Sequence, residues 1–187
     1  MILPRSFYTR ATVDVARDLL GKWIVHGKSA GRIVEVEAYL GEGDPAAHSA
    51  AGMTPRTRVI FGPPGHAYVY LSYGMHECLN IVAEPEGKAG CVLIRALEPV
   101  SGLAAMRERR GAVRSDRELA NGPGKLTQAL GITRAHYGAD LTRGDLVVRS
   151  APDGAAPEVD ASARIGITKA ADLPLRFSIR GNPFVSR

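Results

Sequence analysis

The chain has 187 residues, 45% of them hydrophobic, with 24 Lys or Arg against 19 Asp or Glu and a formal net charge of +5. That length favours a single domain, residues 1–187, with a core that needs no disulfide staples, and no run of about 18 apolar residues is present to span a membrane. Cys78 and Cys91 lack metal-ligand spacing and MILPRSFYTRAT has no apolar signal region, so free thiols and a cytoplasmic setting are expected.

In chain order, residues 12–20, TVDVARDLL, predict a short helix with Thr12 as N-cap and Gly21 closing it. Residues 22–26 and 31–40 predict paired strands across a Gly-containing turn. Residues 41–66 hold five Gly and four Pro and read mainly as loop. Residues 67–71 and 78–84 predict a hairpin, with a turn at Gly74. A nearly continuous apolar strand is expected over 90–97 and a helix over 102–110. Gly122 as cap and Pro123 at the first position open a helix that runs to Leu130. Residues 151–162 read as a polar loop, and short strands are expected near 146–149, 163–167 and 175–180. Hairpins outnumber strand–helix–strand units, so the fold class is α+β with a mostly antiparallel sheet.

Several residues stand out chemically. Alternation along Val34–Tyr39 puts Glu35, Glu37 and Tyr39 on one face, which is either solvated or a polar cleft. Arg95 sits inside the apolar run CVLIRAL and needs a carboxylate partner, since breaking a buried pair costs roughly 3–5 kcal/mol. Glu37 is the candidate and Glu98 the local competitor. Tyr68 fits cross-strand packing, whereas Tyr73, beside Gly74, is displayed on a turn as if to insert into something. Four of the five excess positive charges lie in residues 101–150, where Arg107, Arg109, Arg110, Arg114 and Arg117 form either a solvated helix face or a phosphate-facing patch. The five histidines have no HxxxH spacing, so no metal site is expected. Gly122-Pro-Gly-Lys125 is not a Walker loop, although Lys125 at a helix start suits one phosphate.

Five blocks, VEVEAYLGEGDPAAHS, MTPRTRVIFGPPGHAYVYLSYGMHECLNIV, GCVLIRALEP, NGPGKLTQALGI and PLRFSIRGNPFVS, together resemble the alkyladenine (3-methyladenine) DNA glycosylase family, in a bacterial member. The resemblance implies a single compact domain with a curved sheet, peripheral helices and a protruding, DNA-inserting hairpin. It implies Glu37 as the base that activates water and Arg95 as its partner. Tyr39 and His48 would stack on one face of an extruded base and Tyr70 on the other, with Asn80 excluding the 2-amino group of guanine. Tyr73 would be the wedge, with Met75, His76 and Lys125 also toward DNA. His76 departs from the aromatic residue of the family's mammalian member. The implied partner is duplex DNA containing damaged purines, bound by a monomer without cofactor, metal or membrane.

General physics accords with these implied roles. A base inside a duplex hides its glycosidic bond, and extruding it costs a few kcal/mol. A 3- or 7-alkylpurine is cationic, so stacked tyrosines gain about 0.5–2 kcal/mol of cation–π attraction. A positioned carboxylate adds roughly 10²–10⁴-fold to the rate. Two other readings compete. A non-catalytic nucleic-acid module would use the tyrosines to stack bases, at about 1–3 kcal/mol each, but has no need of a Glu37–Arg95 pair. A nucleosidase would need Glu37 but neither Tyr73 nor the arginine cluster.

Overall fold

The computed structural model describes residues 1–152, 154 and 156–186. Two short helices come first, α1 (Arg5–Tyr8) and α2 (Thr12–Leu19). Ala11, not Thr12, holds the cap position of α2. The Glu84 carboxylate takes the capping role, accepting from Thr12 N at 2.7 Å and Thr12 Oγ1 at 2.9 Å. Gly21 follows the helix with φ +83°, a conformation that glycine adopts without strain.

The strands are β1 (Trp23–His26), β2 (Ser29–Tyr39), β3 (Ala67–Ser72), β4 (His76–Val82), β5 (Cys91–Ser101), β6 (Leu146–Arg149), β7 (Val159–Ser162) and β8 (Arg176–Ile179). Helices α3 (Leu103–Arg110) and α4 (Pro123–Leu130) lie between β5 and β6. All pairings among the described strands are antiparallel, in the order β3-β4-β5-β2-β1-β6, with β8 joined to β2 and β7 to β8. The expected α+β class with a curved antiparallel sheet therefore holds.

β2 is the organising strand. β5 runs along one of its edges, while the other edge pairs with β1 near its start and with β8 at Glu35–Glu37. Pairing runs Ile33↔Leu97, Glu35↔Ala96 and Val36↔Ile94, which leaves Val34 and Arg95 each as one extra residue. Such bulges bend strands and re-aim side chains, and here they fall beside the buried carboxylates.

Two expectations fail on the C-terminal side. Residues 163–167 form no strand and bend at 165–166, and the strand lies earlier, at β7, inside the expected polar loop 151–162. Asp153 and Ala155 of that loop lie outside the described residues. The physical reason is Arg164. It turns inward to an ion pair with Asp44, which draws the chain out of the ladder after Ser162.

The main core packs α2 and α4 against the sheet through Val15, Leu19, Val36, Ile94, Leu126 and Leu130. A second, smaller cluster of Ile60, Tyr68, Val82 and Cys91 backs the tyrosines Tyr39 and Tyr70. No helix among the described residues is long and apolar enough to cross a membrane.

Candidate active site

Glu35 and Glu37 are both fully shut from solvent, because Arg95, Arg176, Ser186, Ile165 and Tyr39 close over that face of β2. The face they share is thus neither solvated nor simply a cleft: it is a buried polar layer that opens on a cleft at one end. Arg95 binds both acids, Nε to Glu35 Oε1 at 3.0 Å and Nη1 to Glu37 Oε1 at 3.2 Å. Glu98 pairs elsewhere, accepting from Asn182 Nδ2 at 3.0 Å.

The two carboxylates differ in what surrounds them. Glu35 also accepts from Arg176 Nε at 2.6 Å, Ser186 N at 2.6 Å and Ser186 Oγ at 2.9 Å. Glu37 accepts from Ile165 N at 2.8 Å on Oε1 and from Tyr39 OH at 2.9 Å on Oε2. Glu37 and Arg95 line an open cleft of about 540 Å³, and Glu35 does not.

Tyr39 from the end of β2, Tyr68 and Tyr70 from β3, and His48 from a 3-10 turn supply the aromatic walls. His48 Nδ1 lies 2.9 Å from Tyr68 OH. The His48 ring meets Tyr70 edge-on, centroids 4.6 Å apart at 76°. Rings in such contact leave no room for a base between them. Tyr39 and His48 therefore do not form one plane facing Tyr70 here, since His48 sits against the Tyr70 wall. Asn80 is buried at the base of that wall, its Nδ2 donating to Tyr68 O at 3.2 Å.

Burial sets the protonation of the walls. It pushes Tyr39 and Tyr70 far above the usual phenol range, with Glu37 adding to the effect on Tyr39 and Cys78 on Tyr70. Tyr68 rises to about 12 by burial. All three remain neutral donors at physiological pH. Burial, then the Arg56 charge, lowers His48 below its ordinary 6.5. Burial also raises the thiols, Cys91 to about 12 and Cys78 in the same direction, which argues against thiolate chemistry at neutral pH.

Tyr73 stands at the cleft mouth, 87% exposed, on the three-residue tip that joins β3 to β4. Its φ of +50° is a left-handed conformation that costs a bulky residue energy. Met75, 71% exposed, shares the tip; His76 begins β4 and packs on Gly124 at the start of α4. Lys125 is exposed and donates to Asn121 Oδ1 at 2.9 Å. Met75, His76 and Lys125 do not line the cleft.

Three arginines of the cluster, largely at the surface, bond within the chain. Arg107 pairs with Asp116, Arg109 Nη1 donates to Ala129 O at 2.8 Å, and Arg110 Nε donates to Leu119 O at 3.0 Å. Among the described residues no three His, Cys, Asp or Glu side chains gather as a metal site.

Sequence reasoning missed four groups. Arg56 lies over Tyr70, its guanidinium carbon 5.2 Å from the ring centroid. Ile165 supplies a backbone donor to Glu37, Arg164 covers Tyr39, and Arg176 with Ser186 closes off Glu35. Their sequence neighbourhoods carry no periodic signal, because each acts from a loop or strand end distant in the chain.

Comparison with known proteins agrees with the resemblance. A sequence model of the family described as Methylpurine-DNA glycosylase (MPG) matches residues 6–183. A Methanoculleus marisnigri protein is 58% identical over 193 aligned positions, covering 100% of each chain. A Rhodopseudomonas palustris (strain BisB18) protein is 55% identical, covering 99% of this chain and 90% of its own. One from Chlorobaculum tepidum is 49% identical with the same coverage. All three carry the name "Putative 3-methyladenine DNA glycosylase". The chain belongs to the methylpurine-DNA glycosylase family. It is a DNA glycosylase, an enzyme that removes alkylated bases from DNA in repair.

Proposed function

We propose that the enzyme extrudes alkylated purines, 3-methyladenine and 7-methylguanine first among them, from duplex DNA and hydrolyses the glycosidic bond with a water activated by Glu37, leaving an abasic site. The observation that carries this reading is the carboxylate of Glu37. It is sealed from bulk solvent, held by Arg95, Ile165 N and Tyr39 OH, and borders the aromatic cleft.

Bond breaking builds positive charge on the sugar, and a carboxylate in a low-dielectric site stabilises that charge strongly. The same group takes the proton of the attacking water, with Arg95 fixing its orientation. A cationic purine needs no acid to leave. It stacks between Tyr39 and Tyr70, where cation–π attraction favours it over an undamaged base by about 0.5–2 kcal/mol. His48, already against Tyr70, addresses the edge of the base. With the neutral Tyr68 hydroxyl donating to His48 Nδ1, His48 presents Nε2–H. That donor serves neutral bases such as hypoxanthine and ethenoadenine. Tyr73 enters the duplex and fills the vacated space, offsetting part of the unstacking cost as inserted apolar side chains do. The protein works as a monomer on DNA.

The test is Glu37→Gln. Binding to a 7-methylguanine duplex stays within about threefold of wild type, while single-turnover base release falls by roughly 10²-fold or more. Full release by this variant would remove Glu37 from the mechanism. Release assays on 3-methyladenine, 7-methylguanine, hypoxanthine and ethenoadenine duplexes, run side by side, rank the lesions.

A further inference from the structure

We propose that Asp44 and Arg164 form a buried clamp that positions Glu37 and Tyr39 for base excision; the proposal rests on the reading of Glu37 given above. The side chain of Arg164 has no solvent exposure. Its fork grips Asp44 in two places, Nη1 to Oδ2 at 2.6 Å and Nη2 to Oδ1 at 2.9 Å. Nη1 also donates to Ala38 O at 3.0 Å, on the residue between Glu37 and Tyr39. The guanidinium carbon lies 4.7 Å from the centroid of the Tyr39 ring.

Two contacts then reach the carboxylate of Glu37 from this clamp. The next residue in the chain, Ile165, donates its N–H to Glu37 Oε1, and the covered ring of Tyr39 donates its hydroxyl to Oε2. Both carboxylate oxygens are thus oriented by groups that Arg164 fixes. Residues 163–167 belong to no strand, so sheet pairing does not hold Ile165 in place. Asp44 is itself fixed, accepting from Leu40 N and Ala46 N at 3.1 Å each. The clamp therefore ties three pieces together: the end of β2, the loop that leads to His48, and the loop that carries Ile165. A planar bidentate pair imposes orientation as well as attraction, and small displacements of a reacting group cost large factors in rate. Neither Asp44 nor Arg164 lines the cleft. They are positioning residues.

A purely structural clamp would lower the melting temperature and the active fraction but leave the rate constant of the folded molecules intact. The experiment measures thermal unfolding, affinity for a 7-methylguanine duplex and the single-turnover rate constant for Arg164→Gln, Arg164→Lys, Asp44→Asn, Tyr39→Phe and the Tyr39→Phe/Arg164→Gln double variant. Arg164→Gln is expected to bind within about threefold of wild type and to release base at least about tenfold more slowly. Arg164→Lys recovers part of that loss, and the double variant is slower than the worse single variant by no more than about threefold, since both act on one oxygen pair. A wild-type rate constant in folded Arg164→Gln, or fully multiplicative losses in the double variant, overturns the clamp. Should Arg164→Gln not fold, Asp44→Asn decides by the same two readings. Glu37→Gln runs alongside: if it releases base fully, the underlying mechanism has failed, whereas an inactive Glu37→Gln beside a fully active Arg164→Gln means the clamp alone has failed.

Discussion

Glu35 and Glu37 leave β2 toward the same buried layer and share Arg95, yet their surroundings give them different tasks. Glu35 is enclosed by Arg95, Arg176 and Ser186 and touches no cleft. Removing its charge leaves Arg176 without its carboxylate and Arg95 with Glu37 alone, which is the costly way to break a buried network. Glu35→Gln is therefore expected to destabilise the fold by about 3 kcal/mol, read from the denaturant midpoint. Glu37→Gln, by contrast, is expected to act on base release. The alternation of Val34–Tyr39 places both acids on one face, but it says nothing of which one meets the cleft. That distinction comes from Ser186 and Ile165, more than a hundred residues away in sequence. Tyr73 was legible for a local reason: a large aromatic beside a turn glycine has no packing role to play, and the side chain is indeed exposed at the cleft mouth.

At the level of elements, the helix at Pro123 and the hairpin at Gly74 follow from local chemistry, since proline and glycine set the backbone by themselves. The arginine-rich helix α3 shows the reverse. Its charge suggests either a solvated face or a phosphate patch, and the fold adds bonds from Arg107, Arg109 and Arg110 to the α3–α4 region and the turn that joins it. Arg109 also donates to Ser29 Oγ at 3.2 Å, and its bond to Ala129 O satisfies a carbonyl in the last turn of α4. Arg109→Ala should thus cost about 1–2 kcal/mol in stability. The slope of log affinity for lesion DNA against log salt should stay at its wild-type value, whereas loss of a phosphate contact lowers it by about one. Thermal melts and binding isotherms across a salt series check both halves.

The whole molecule carries its charge pairs in a way that sets its response to acid. His48 is held below 6.5 by burial and by Arg56, so below pH 6.5 the unfolded chain takes up a proton that the folded chain refuses. Stability therefore falls as pH drops from 6.5 toward the depressed folded value. Burial alone would raise Asp44 and Asp140, but hydrogen bonds from Arg164, Leu40 and Ala46 to Asp44, and from Thr142 together with Arg5 to Asp140, hold both below 3.8. The stability they confer is complete above pH 3.8 and is lost as pH falls through the folded values. Unfolding midpoints measured from about pH 7 to about pH 3 should drop in two stages, and His48→Gln should remove the upper stage alone.

By itself the amino-acid sequence determined the period-two strands, the hairpin, the helix at Pro123 and the family, because these depend on neighbours a few residues apart or on blocks that keep their order along the chain. Only the tertiary structure decided which buried acid borders the cleft, that Glu84 caps α2, that Arg109 bonds back to α4, and that Arg164 leaves the ladder to reach Asp44. Each of these is the settlement of a charge or polar group against a partner distant in the chain, in the buried interior for Glu35, Glu37 and Arg164 and nearer the surface for Glu84 and Arg109. A buried charge must find its partner wherever the fold brings one, and that partner has no fixed spacing in the chain.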